Sequence, residues 1–304
     1  MTFSDTVMQP LKLRSLVSRG VLVPLNFTLG TSAAIVRTVP LLLVDLVTDD
    51  GVTGHAYAFC YRPSGARAIA AHLAEAFDLL ASRPLTPYDA ARSLSRQFAL
   101  LGVTGTVRMA LSLFDMALWD ALARSMGMPL AALLGSQPRA LQAYDSRGLG
   151  LMEPDCLSKE ADALLASGLK AVKLRLGYPS AKEDISALKA VRRVVGDAVA
   201  VMVDYNQALT TAEAIARGRQ LENEMIYWLE EPIPHENYDA HSTIARELRV
   251  PVQIGENFNG PECMLTALSA HACACLMLPG SAASAAGCRP PRLQLQAASR
   301  CLRI

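Results

Sequence analysis

The sequence predicts an α/β protein in which an N-terminal α+β capping domain (residues 1–135) precedes an incomplete (β/α)8-type barrel (residues 140–279). Two observations predict this fold class. Strand-like runs come before helical stretches early in the chain, whereas strands and helices alternate from Leu141 onward. In addition, short apolar runs end at acidic residues spaced 26 residues apart, which is the length of a strand and a helix. These acidic residues are Asp204, Glu230 and Glu256.

The capping domain begins with two strand-like runs, Leu11–Val17 and Leu41–Val47. The second passes through an Asp-Gly pair into Val52–Phe59, and Asp-Gly between two β-rich runs is typical of a hairpin. Helical patterns follow, and Gly127 lies just beyond the longest of them, where a helix C-cap is expected. The predicted helices are Ala66–Leu80, Pro87–Phe98 and Val107–Ser125.

Six strands alternate with five helices in the predicted barrel. The predicted strands are Gln142–Ser146, Ala171–Leu176, Val199–Tyr205, Ile226–Glu230, Val252–Gly255 and Ala274–Leu278. The predicted helices are Pro154–Ala166, Ala181–Val195, Thr211–Gln220, Tyr238–Leu248 and Pro261–Ala272. Residues 280–304 form an atypical tail. Since a six-stranded barrel leaves open edges that invite pairing with another chain, we expect a homo-oligomer if the chain folds.

Composition argues against several classes of protein. The net charge is +1 and no basic run is present, so we expect no nucleic-acid partner. No uninterrupted apolar run reaches the roughly 18 residues of a membrane span, and the N-terminal residues lack a secretory signal. The seven cysteines, an odd number, suggest reduced thiols and a cytoplasmic location.

The three spaced carboxylates predict a metal site. Acidic side chains at the C-terminal ends of successive parallel strands point into one barrel mouth, where they repel each other unless a cation lies between them. Oxygen-only ligands favour Mg²⁺. The alternative is that the three acids are unrelated residues that cap the helices following each strand. The equal spacing, the strand context and the shared charge favour the metal site.

Several motifs together resemble one known family. They are Gln142–Ser146, Val172–Pro179, Met202–Gln207, Trp228–Pro232 and Gln253–Asn257. In this order and spacing they resemble the mandelate racemase/muconate lactonizing enzyme family of the enolase superfamily, and mandelate racemase most closely. The resemblance extends from about residue 11 to about residue 275.

The resemblance implies an Mg²⁺-dependent enzyme of the racemase lineage, which removes the proton α to the carboxylate of a small 2-hydroxy acid. By position, Asp204, Glu230 and Glu256 match the metal ligands of the family. Lys173 matches a residue that pairs with the substrate carboxylate. Positions two apart on a strand face the same side, so Lys173 and Arg175 are both candidates for catalysis.

The resemblance also implies substrate contacts for Ser146, Asn206 and Tyr61. Tyr61 and an early loop, Val23–Thr31, would close over the substrate. Each of these assignments has an ordinary structural alternative. Asn206 and Ser146 suit turn or capping positions, and Tyr61 suits simple packing. Glu231 matches a neighbouring site residue, and could equally begin the next loop.

Two departures from the family predict impaired activity. Arg175 stands where the racemase has a basic lysine, and arginine is effectively always protonated. All five histidines occur at or before His271, so none corresponds to the base of the opposite face, and Gly280 stands where the family has an aspartate. We expect no appreciable mandelate racemisation, and hypothesise a frameshift or truncation near residues 275–285. The alternatives are a sugar-acid dehydratase lineage or a catalytically dead remnant.

Overall fold

The computed structural model describes residues 9–81 and 83–277. Three antiparallel strands and four helices form the first part, and parallel strands then alternate with helices. The first part consists of β1 (Leu13–Gly30), β2 (Ile35–Thr48), β3 (Thr53–Phe59), α1 (Pro63–Leu80), α2 (Pro87–Gln97), α3 (Gly105–Ser125) and α4 (Leu130–Leu133). The second part consists of α5 (Pro154–Leu165), β4 (Ala171–Arg175), α6 (Ala181–Val195), β5 (Ala200–Asp204), α7 (Thr211–Leu221), β6 (Leu229–Glu230), α8 (Tyr238–Glu247), β7 (Val252–Ile254), α9 (Pro261–Ser269) and β8 (Cys275–Leu276).

The cap sheet has the order β1-β2-β3, and the predicted Asp-Gly turn joins β2 to β3. Gly51 occupies that turn with a φ of 86°, a left-handed conformation that favours glycine. The β1–β2 hairpin is much longer than the sequence predicts. The expected loop Val23–Thr31 is instead strand up to Gly30, with a register irregularity that begins after Pro24, which has no backbone N–H to donate.

The parallel sheet has the order β4-β5-β6-β7-β8, so each strand pairs with the next along the chain. This order confirms the parallel α/β barrel arrangement. The predicted first strand, Gln142–Ser146, is reduced to a single parallel bridge between Asp145 and Val172. Gln142 and Ala143 are exposed, and this segment pairs with β4 alone among the described residues, so little holds a longer strand in place.

Two separate hydrophobic cores support these sheets. The cap core lies between its sheet and helices α1 and α3, with Leu46, Ile69 and Trp119 fully buried. The barrel core includes Val201, Val203 and Leu229, also fully buried. Neighbouring residues of β5 are buried on both faces of the sheet, which is the usual pattern for a parallel strand covered by helices.

The cap hairpin contacts the barrel at the end where the parallel strands finish. The backbone N–H of Leu151 donates to the carbonyl of Gly30 at 2.9 Å. Gly150 permits this approach, because a Cβ there would lie 2.4 Å from the backbone nitrogen of Gly30. The hairpin therefore lies beside the mouth in which the sequence places the functional residues.

The described residues bear on two further expectations. No helix within 9–81 or 83–277 combines the length and the apolar character of a membrane span. The atypical tail predicted for residues 280–304 lies outside the described residues, as does Gly280. The hypothesis of a frameshift or truncation stays a hypothesis.

Candidate active site

The structure brings the three predicted carboxylates together. Asp204 and Glu230 are paired residues at the ends of β5 and β6, and Glu256 follows β7 by two residues. One carboxylate oxygen from each lies within 4.8 Å of the other two. Asp204 and Glu230 are buried, whereas Glu256 is half-buried. Three acids this close, two of them buried, repel each other and could hold a cation between them.

Lys173 lies against two of these carboxylates. Its Nζ is 2.7 Å from Glu230 Oε1 and 3.1 Å from Asp204 Oδ2, and the side chain is almost fully buried. Burial opposes the charge of the ammonium, but Asp204 and Glu230 outweigh it and raise the pKa of Lys173 above its ordinary value. One ammonium leaves the negative charge of three carboxylates incompletely neutralised. The donor set, which consists only of oxygens, therefore fits a hard divalent ion such as Mg²⁺.

Burial and neighbouring carboxylates disfavour the charged form of three glutamates at the site. Burial and then the charge of Asp204 raise the pKa of Glu230 to about 7, even though Lys173 opposes this shift. Burial and then the charge of Glu256 raise the pKa of the neighbouring Glu231 to about 8. Burial also raises the pKa of Glu256. A bound dication would remove this penalty.

These shifts predict how stability depends on pH in the metal-free chain. An unfolded glutamate has a pKa of about 4.3, so between that value and about 7–8 the folded chain binds more protons than the unfolded chain. Stability therefore falls as pH rises through this window, by about 1.4 kcal/mol per pH unit for each extra proton. We expect the melting temperature in EDTA to fall from about pH 5 to about pH 8.

Glu231→Gln should make that decline shallower, because it removes one of the two most shifted acids. Glu247→Gln is the matched control, since Glu247 is half exposed and pairs with Arg219 on the surface. An unchanged slope in Glu231→Gln would contradict the assignment of the decline to this site.

Neighbouring side chains orient the carboxylates. Asn206 donates from its backbone N–H to Asp204 Oδ1 at 2.8 Å and from Nδ2 to Oδ2 at 3.2 Å. Trp228 donates from Nε1 to Glu230 Oε2 at 3.1 Å. These bonds hold both acids in fixed orientations, as partners of metal ligands typically do. Asn206 is thus placed beside Asp204, and its predicted contact with substrate stays a prediction.

Arg175 is buried beside the site, but its hydrogen bonds go to backbone carbonyls. Its Nη1 donates to Ser146 at 2.6 Å, to Gly148 at 3.0 Å and to Lys173 at 3.4 Å. These contacts fix the segment that follows the Asp145 bridge. Ser146 is half-buried, and its hydroxyl makes no hydrogen bond with the described residues. The predicted catalytic role of Arg175 and the substrate contact of Ser146 therefore remain predictions.

Two tyrosines bear on the site, Tyr61 from the cap and Tyr144 from the segment before α5. Tyr61 follows β3 of the cap, with a left-handed φ of 57° and a largely exposed side chain. Desolvation by nearby protein, followed by the charges of Glu256 and Glu231, raises the pKa of Tyr61. Tyr144 stacks edge-on against Trp228 with ring centroids 5.6 Å apart.

Some residues of the site are absent from the sequence-based prediction. Trp228 is two residues before Glu230, a spacing that predicts the same face of a strand and could have identified it. Asn257 donates to Glu231 Oε2 at 2.6 Å, and its position next to Glu256 is a weaker signal. Ser32 donates to the carbonyl of Tyr205 at 3.1 Å, and no local pattern in the sequence indicates this contact.

A capping domain beside a parallel barrel, with carboxylates gathered at the strand ends, defines a TIM-barrel-type protein whose candidate site lies at the C-terminal ends of the strands. Family models agree with this class. The N-terminal domain of the mandelate racemase/muconate lactonizing enzyme family matches residues 15–135, and the enolase C-terminal domain-like model matches residues 157–283. The chain belongs to the mandelate racemase/muconate lactonizing enzyme family.

Two similar solved structures contain magnesium. An enolase from the alpha proteobacterium bal199, solved with bound magnesium, is 38% identical, with a TM-score of 0.86 over 90% of this chain and 76% of that one. An enolase from Bradyrhizobium, complexed with magnesium and mandelic acid, is 32% identical, with a TM-score of 0.85 over 91% of this chain and 77% of that one. Both of these neighbours hold magnesium, an ion that the oxygen donors of Asp204, Glu230 and Glu256 also fit.

One curated relative is a dehydratase. L-talarate/galactarate dehydratase from Salmonella typhimurium is 33% identical over 235 residues, which is 77% of this chain and 57% of the relative. The chain thus spans little more than half the length of that enzyme.

Proposed function

We propose that the chain binds a small hydroxylated carboxylate at the barrel mouth and stabilises the anion that forms when its α-proton leaves. The observation that carries this proposal is the contact of the buried Lys173 ammonium with Asp204 and Glu230, two members of the carboxylate triad. Asp204, Glu230 and Glu256 would hold the magnesium ion. Magnesium, when bound, supplies positive charge to offset the negative charge that develops on the substrate.

Lys173 would pair with the substrate carboxylate. Its raised pKa keeps it protonated, so it is suited to bind an anion rather than to remove a proton. Arg175 would support the same site indirectly by holding the carbonyls of Ser146 and Gly148. Arginine stays protonated, so this residue is also a poor base. We assign no general base among residues 9–81 and 83–277.

The reaction that we favour is dehydration of an acid sugar. Dehydration requires one base and an acid for the departing hydroxyl group, whereas racemisation by two bases requires a proton-transferring group on each face. Because Arg175 stays protonated, it cannot serve as the second base. Support from outside the chain comes from the dehydratase relative that is 33% identical.

Incubation with galactarate or L-talarate and Mg²⁺ tests this proposal. We expect formation of a keto-deoxy acid, detected as its semicarbazone, and complete loss of the product in EDTA. Lack of product from either sugar acid, with magnesium bound and the chain folded, would contradict dehydration of these substrates.

Racemisation of a 2-hydroxy acid is the second candidate. The observation that favours it is the 32% identity to the Bradyrhizobium enolase that was complexed with mandelic acid. Polarimetry on each enantiomer of mandelate with Mg²⁺ separates the two reactions, because only racemisation removes the optical rotation without forming a keto product. Magnesium binding without either reaction would identify a catalytically inactive chain.

A further inference from the structure

A buried aspartate outside the mouth joins three segments of the barrel. Asp184 lies on α6 and is almost fully buried. Its Oδ1 accepts the backbone N–H groups of Gly177 and Tyr178, each at 3.0 Å. Its Oδ2 accepts the hydroxyl of Tyr205 at 2.8 Å and Nη1 of Arg217 at 2.7 Å. Four donors on one carboxylate fix the loop after β4, the end of β5 and helix α7 relative to each other.

Tyr205 connects this cluster to the metal site. Successive residues of a strand point to opposite faces, so Tyr205 points into the helix layer while Asp204 points into the barrel. The chain then turns sharply, with left-handed φ values of 45° at Asn206 and 67° at Gln207. Such conformations are costly for residues other than glycine and persist only where surrounding contacts enforce them. In this conformation Asn206 faces back onto Asp204 and donates two hydrogen bonds to its carboxylate.

The cap hairpin binds the same turn. The hydroxyl of Ser32 lies within hydrogen-bonding distance of two carbonyls, at 3.1 Å from Tyr205 and at 3.3 Å from Asn206. Gly177 lies beneath this contact, with a φ of 115°, and a Cβ added there would be 3.5 Å from Ser32 Cβ. The loop that Asp184 holds therefore also supports the tip of the hairpin.

We propose that Asp184, Tyr205 and Arg217 form a positioning cluster that holds the strained turn at residues 204–207 in the geometry required for metal binding. The side chains of the three residues make their hydrogen bonds away from the proposed metal ligands, although the backbone N–H of Tyr205 donates to the carbonyl of Glu230 at 3.1 Å. The cluster acts through the backbone of Tyr205 and Asn206, which orients the carboxylate of Asp204. This inference rests on the proposed role of Asp204 as a metal ligand, and does not depend on which substrate the chain uses.

A role confined to stability would give a different result, and Arg192 provides the comparison. Arg192 also binds carbonyls, from Nη1 to Gly196 at 3.0 Å and to Val199 at 2.7 Å, and from Nη2 to Met225 at 3.1 Å. These contacts lie at the opposite end of β5 from Asp204, because Val199 precedes the strand. Arg192→Met should therefore lower stability without changing the metal site.

Calorimetric titration with Mg²⁺ tests the cluster. We expect Tyr205→Phe and Arg217→Met each to weaken Mg²⁺ binding by about 10-fold, as loss of outer partners of metal ligands typically does. Arg192→Met should lower the melting temperature about as much as these two variants do, and should bind Mg²⁺ with the affinity of the wild type. If Arg217→Met does not fold, Tyr205→Phe carries the test, since it deletes one hydroxyl and keeps the ring.

Wild-type affinity in a folded Tyr205→Phe chain would overturn the positioning cluster and leave the proposed metal ligands intact. Equal weakening in Arg192→Met would also overturn it, because the effect would then follow stability rather than position. If the wild-type chain binds no Mg²⁺, both the assignment of the metal ligands and the positioning cluster are wrong. The wild-type titration thus separates failure of the proposed site from failure of this inference.

Discussion

Replacement of Glu230 by glutamine is expected to weaken Mg²⁺ binding by more than about 100-fold, beyond the 10–100-fold typical for outer partners of a metal site. Glu230 is fully buried at the centre of the site, next to Asp204 in the sheet register. The amide has nearly the same shape but no negative charge. The variant therefore removes the charge that holds a dication and leaves the packing in place.

The measurement is calorimetric titration of the folded variant with Mg²⁺, with Glu247→Gln as the control for a general effect of removing a carboxylate. Glu247 lies on the surface in an ion pair with Arg219, so its loss should leave the affinity unchanged. Equal affinity in Glu230→Gln and wild type would remove Glu230 from the metal site.

Lys173→Met is expected to have the opposite pattern, with Mg²⁺ binding retained and turnover lowered by at least about 100-fold. Removing a single preorganised donor from an anion site costs about 10²–10³-fold in turnover. The ammonium lies 2.7 Å from Glu230 and 3.1 Å from Asp204, where it competes with the metal ion for the same oxygens. Its loss should therefore not weaken the binding of the metal.

Stability provides a second measurement for Lys173→Met that does not need a substrate. Removing one partner of a buried ion pair costs about 3–5 kcal/mol, because the remaining charge stays buried and unpaired. The melting temperature should therefore fall in EDTA and recover when Mg²⁺ is added. Lys189→Met is the control, since Lys189 pairs with Glu224 at the surface. Loss of Mg²⁺ affinity in Lys173→Met would contradict this account of the lysine.

Much of the fold follows from local signals in the sequence. Helix α6 occupies the predicted range because both of its ends are encoded nearby. Ser180 and Glu183 form a reciprocal capping box at its start, and Gly196 ends it with a left-handed φ of 71°. The cap hairpin gives no comparable signal, since Pro24 interrupts the alternation of its first strand. Its length depends on contacts with the barrel that only the folded chain reveals.

The sequence likewise predicts some parts of the candidate site and not others. The equal spacing of Asp204, Glu230 and Glu256 predicts their convergence, because parallel strands finish at one end of the barrel. Local sequence cannot predict that Arg175 binds backbone carbonyls. Besides Lys173 of its own strand, it contacts Gly148 and Ser146, which lie 27 and 29 positions earlier in the chain. The contact of Ser32 with Tyr205 spans 173 positions and depends entirely on how the cap meets the barrel.

The central claim is that the three spaced carboxylates form one magnesium site. Mn²⁺ prefers the same oxygen ligands and can be located by its anomalous scattering in a crystal of the chain. We predict a single strong peak bounded by carboxylate oxygens of Asp204, Glu230 and Glu256, beside the ammonium of Lys173. A peak elsewhere in the molecule, or no peak at this site at saturating Mn²⁺, would contradict the claim.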